Sequence, residues 1–137
     1  MWTTEFSMET KASEAKIWQI FTDVENWKEW IGGIEYSSIH GNFENGALIT
    51  VKNIGMPKAT SCLKDVVVNE SFIFQSKMPL CTMDCIHEIV KDNDTLKIRL
   101  GVKMYGALSF IFKSIFGKKL TNGLPIATKK LVELAEN

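Results

Sequence analysis

The sequence predicts an α+β domain in which a strongly curved, seven-stranded antiparallel sheet wraps around one long C-terminal helix, with two short helices after the first strand. Three observations carry that expectation. Residues 104–137 place apolar side chains at helical spacing (Leu108, Ile111, Phe112, Ile115, Phe116, Leu120, Leu124, Ala127, Leu131 and Leu134), while Lys113, Lys118, Lys119, Lys129 and Lys130 fall mostly elsewhere. Upstream, extended runs follow one another across short turn signals, and short turns between consecutive strands demand antiparallel neighbours. Before those runs, one alternating segment leads into two capped helical patterns.

Trp2 to Glu9 alternates, with Trp2, Thr4, Phe6 and Met8 on one face, as a half-buried strand does. Ser13 caps a helix whose inward positions are Ala15, Trp18 and Phe21, flanked by Ile17 and Ile20; Asp23 caps a second that carries Trp27 and Trp30 and stops at Gly32-Gly33. Those two tryptophans either bury apolar area against the sheet or line a ligand portal. The extended runs are Ile34 to His40, Ala47 to Asn53, Lys58 to Val68, Phe72 to Met78, Thr82 to Lys91 and Leu96 to Met104. Facing follows from period-two alternation. Leu96, Ile98, Leu100, Val102 and Met104 point inward, as do Phe72, Phe74, Ser76 and Met78, and Met83, Cys85, His87 and Ile89; Tyr36 and Thr50 lean inward on their strands. No face can be assigned to Lys58 to Val68. The stretch Asn122-Gly123-Leu124-Pro125 should kink or interrupt the long helix.

The chain of 137 residues is read as one domain, with 16 basic and 16 acidic side chains, and its lone Arg99 and absence of a basic aromatic stripe argue against nucleic acid. No apolar stretch is long enough to cross a membrane, and the MWTTEFSMETK start has no signal-peptide pattern. Three cysteines, an odd number, suggest reduced thiols and a cytoplasmic location. Cys85 and His87 share a strand face, but with His40 and Cys62 they match no metal-ligand spacing; no metal site and no cofactor motif is expected.

The segment KASEAKIWQIFTDVENWKEW, the strand-turn GNFENG, the later H-E-I strand ending in an acidic turn, and the terminal helix running into VELAE resemble the START-like (SRPBCC, helix-grip) superfamily, in particular its polyketide cyclase/dehydrase and lipid-transport branch. The resemblance spans nearly the whole chain. It implies a deep cavity between sheet and C-terminal helix that takes lipids, sterols, polyketides or other apolar molecules. Residues placed to line it are Phe74, Ser76, Met78, Met83, Cys85, His87, Leu100, Val102 and Met104 from the strands and Leu108 and Phe112 from the helix, with Tyr36 and Thr50 beside them. The methionines suit varied apolar guests, and His87 and Tyr36 would orient a polar end. The expected function is that of a carrier or sensor of a small hydrophobic ligand, with Gly106, Gly117 and Gly123 as a candidate gate in the helix. Two alternatives stand beside it: a cyclase/dehydrase-like enzyme with Tyr36 as donor and His87 as base, or an interaction module with a collapsed cavity whose partner meets the Phe110 to Phe116 face.

Overall fold

In the computed structural model, which describes residues Met1–Asn137, short turns convert the extended runs into an antiparallel meander. The strands are β1 (Trp2–Thr10), β2 (Ile34–His40), β3 (Leu48–Asn53), β4 (Ala59–Val67), β5 (Ser71–Met78), β6 (Cys81–Asp92) and β7 (Thr95–Tyr105). They form one seven-stranded sheet in the order β1-β7-β6-β5-β4-β3-β2. Helix α1 (Glu14–Thr22) and a 3₁₀ helix (Val24–Glu29) follow β1, and α2 (Ser109–Glu136) closes the chain. The expected architecture is the observed one.

Helix α1 starts where Ser13 Oγ accepts from Lys16 N at 3.2 Å, which satisfies one of the amides a helix start leaves free. Its buried face is Ile17 and Phe21, whereas Ala15 is exposed and Trp18 only half-buried. The inward stripe is therefore rotated from the expected one, because the 3₁₀ helix brings Val24, Trp27 and Trp30 under the same side. Both tryptophans are 2% exposed and belong to the core; burial, not a portal, is their role.

Helix α2 runs as 28 residues without interruption, so Asn122 to Pro125 does not break it. Pro125 cannot donate to the carbonyl of Thr121, but Thr121 is exposed and that carbonyl can be hydrated. The helix lies over β1, β7 and β6. Its sealed residues are Ser109, Gly117, Ala127, Thr128, Leu131, Val132 and Ala135. Ile111 and Ile115, expected on the inward stripe, are instead exposed. At Gly117 the helix lies close against the Trp2 ring, 3.4 Å from where a Cβ would stand, with Ala127 and Ala135 also sealed and the isoleucines turned outward. At its far end Glu136 accepts from Thr10 Oγ1 at 2.8 Å and from Lys11 N at 2.9 Å, clasping α2 to the end of β1.

Candidate functional site

The concave face of the sheet is built from one parity on each strand. Register places Phe72 against His87 and His87 against Leu100, Phe74 against Cys85 and Cys85 against Val102, and Ser76 against Met83 and Met83 against Met104. These rows face α2. They divide into two halves of different character.

The first half is sealed. Phe21, Trp27, Trp30, Phe72 and His87 form an aromatic cluster in which the His87 ring stacks on Phe72 at 4.1 Å and 7°. Trp27 lies nearly parallel to both, and Trp27 Nε1 donates to Phe21 O at 2.9 Å. His87 is 8% exposed, and its Nδ1 lies 3.1 Å from Cys85 O. Desolvation lowers its pKa to about 4, against a smaller opposing pull from the Cys85 and Phe72 carbonyls. The ring is thus neutral and enclosed. Trp30 Nε1 is the one buried side-chain donor without a partner.

The second half, nearer the start of α2, keeps accessible surface on its inner face. Phe74, Ser76, Met78, Met83 and Cys85 are half-buried although their neighbours across the strands are sheet residues of the same face. Phe112 and Phe116 of α2, stacked at 6.3 Å and 7°, are half-buried too. Cys85 combines this surface with strong desolvation, which together with nearby Asp84 pushes its pKa up to about 12. Its side chain is thus hemmed in by protein although the residue as a whole is only half-buried. Its thiol stays protonated at neutral pH, which makes it a weak nucleophile. The polar feature of this half is a hydroxyl pair, Ser61 Oγ and Ser76 Oγ at 2.8 Å.

Two expected residues are not here. Tyr36 is 45% exposed on the convex face, because a bulge between Ile34 and Tyr36 puts these two residues of equal parity on opposite faces. Thr50 also faces outward, hydrogen-bonded to His40 and Thr60, since Ile49 takes the inward position at 0% exposure. Leu100, Val102 and Met104 face inward but are sealed, and Leu108 precedes α2 with its amide bonded to Leu80 O at 2.9 Å. Ser61 escaped the sequence reading because β4 shows no clean alternation. The only signal for it is its register: Ile49, fully buried, pairs with Ser61.

Surface depressions of about 570 and 410 Å³ lie elsewhere, on the convex side around Glu88 and Arg99. The second exists because Gly101 puts no side chain between Glu5 and Ile86. Polar and charged residues dominate their walls, and Arg99 is held there by a two-pronged pairing with Glu88 at 3.0 and 3.2 Å.

Neither a protein-family model nor a curated protein matches the sequence. Solved structures do match the fold. Norcoclaurine synthase from Thalictrum flavum aligns over 99% of this chain and 87% of its own with a TM-score of 0.73 and 14% identity. A START superfamily protein from Mycobacterium smegmatis aligns over 96% of this chain and 97% of its own, with a TM-score of 0.69 and 16% identity. The di-domain ARO/CYC protein BexL of the BE-7585A biosynthetic pathway aligns over 99% of this chain and 50% of its own, with a TM-score of 0.74 and 8% identity. The meander, the two short helices after β1 and the long closing helix thus make up the START-like, helix-grip fold.

Proposed function

We propose that this chain is a single ligand-binding domain that carries or senses a small hydrophobic molecule, held between the half-buried part of the concave sheet face and the first half of α2. The observation that supports this most is the contrast between the two halves: Phe72 and Leu63 are sealed, whereas Phe74, Ser76, Met83 and Cys85 on the same face keep accessible surface. Apolar walls supply affinity at about 25 cal/mol per Å² of ligand surface removed from water. Met78 and Met83 adapt to guest shape. The Ser61–Ser76 hydroxyls orient the ligand's polar atom in place of His87 and Tyr36. The names of the structural neighbours, a START superfamily protein, a norcoclaurine synthase and an ARO/CYC protein, support small organic molecules as the class. The carrier reading is placed ahead of catalysis because the expected acid–base pair is not assembled: His87 is inside the sheet and Tyr36 outside it. With three unpaired thiols the proposed location is the cytoplasm.

Native mass spectrometry of freshly purified protein, followed by solvent extraction, tests the reading. A co-purifying apolar metabolite is expected, and Ser76→Phe, which fills the hollow, should reduce its occupancy at least about tenfold while the thermal transition is kept. A bound molecule retained unchanged by Ser76→Phe would place it elsewhere and overturn the site.

A further inference from the structure

Successive turns of the meander fall at opposite ends of the sheet, and the two ends differ in chemistry. The β2–β3, β4–β5 and β6–β7 turns carry Glu44, Glu70, Asp92 and Asp94. At the other end lie the β3–β4 loop, the two-residue turn after Met78 and the step from β7 into α2, as the pairings Val51–Ala59, Met78–Cys81 and Trp2–Met104 require. Each of these three places large apolar side chains in solvent: Ile54 at 72% and Met56 at 49%, Leu80 at 68%, and Phe110 at 62%, Ile111 at 40% and Ile115 at 62%. Their backbones are tied down. Ile54 N donates to Gly33 O and Leu108 N donates to Leu80 O, both at 2.9 Å. Leu80 sits at φ +53°, a left-handed conformation that glycine or asparagine would adopt more readily than leucine.

Lysines predominate at this end. Lys58, Lys77, Lys113, Lys118 and Lys119 are exposed and take part in no ion pair. No Asp or Glu occurs in residues 45–64, 71–83 or 95–132, which build most of it; Glu29 and Glu35 flank the Gly33 step that Ile54 N reaches. Glu35, at the start of β2, is engaged by Lys52 at 3.0 Å. Net neutrality therefore hides a polarised molecule. Separate apolar tips, each flanked by uncompensated ammonium groups, match a fluid surface that accepts apolar side chains below a layer of negative charge.

We propose that this end of the molecule docks on an anionic lipid bilayer, with Ile54, Met56, Leu80 and Phe110 sunk to headgroup depth and the lysines against lipid phosphates. No helix is long and apolar enough to cross a membrane, so the protein would lie on the surface. The proposal does not depend on an interior ligand, because the vesicle is the only partner needed.

Co-sedimentation with phosphatidylcholine vesicles, with and without phosphatidylglycerol, tests it at low and high salt. Binding should require the anionic lipid and weaken as salt screens it. Leu80→Ser combined with Phe110→Ser should lower vesicle affinity at least about tenfold. Each of Lys113→Gln, Lys118→Gln and Lys119→Gln should cost about fivefold. Lys91→Gln, at the acidic end and paired with Glu14, should change nothing, and circular dichroism confirms that the variants are folded. No binding to anionic vesicles, or equal binding by the tip variants, overturns the proposal. So does self-association without lipid that Leu80→Ser and Phe110→Ser abolish, which would assign the tips to a second copy of the chain.

Discussion

Burial among Phe21, Trp27, Trp30 and Phe72 keeps the His87 ring neutral, with its pKa lowered to about 4. In the unfolded chain the same ring titrates near 6.5, so the unfolded state takes up a proton across that window that the folded state refuses. Stability is thus full above about pH 6.5 and falls as pH drops towards 4, by up to about 3 kcal/mol from this group. Denaturant titrations of His87→Phe should show a flatter pH dependence than the parent; parallel curves would mean the ring is not held neutral by the fold. The inward facing of His87 was readable from Met83, Cys85, His87 and Ile89 in alternation. Its enclosure was not, because the rings that cover it come from the helices after β1. Tyr36 misled for a local reason: a bulge leaves no mark in a sequence of alternating residues, yet it inverts everything on one side of it.

At the scale of elements, strand number, pairing sense and boundaries were legible because each turn announces itself in Gly, Asn, Asp or Pro. The seating of α2 was harder to read. Its widest apolar stripe suggested Ile111 and Ile115 as core, but the sealed face runs through Gly117, against the Trp2 ring, and Ala127, Leu131 and Ala135. A glycine inside a helix reads as flexibility in sequence and serves here as a close approach. Pro125 is the complementary case. The helix continues through it with one backbone bond missing, and Thr128 Oγ1 donates to Leu124 O at 2.7 Å beside it. Pro125→Ala restores an amide donor, and urea unfolding should show α2 and the protein stabilised by about 2 kcal/mol. A loss of stability would show that the proline shapes the helix to the sheet.

For the whole molecule, the segregation of acidic turns from apolar, lysine-flanked ones was present in the sequence but invisible without topology, since only the meander sorts alternate turns to opposite ends. A neutral total charge concealed it. The same topology has a consequence in time. Strands β2 to β7 each pair with their immediate neighbour in sequence, so they can zip up as local hairpins. Strand β1 is the exception: Trp2 waits for Met104 and Thr10 for Leu96. During synthesis β1 therefore emerges well before its partner and stays an unpaired, half-apolar edge until β7 has followed it. Closing that long loop is the step that the entropy of the chain opposes most. Once closed, it lets α2 settle on β1, so a strand and a helix far apart in sequence become native together.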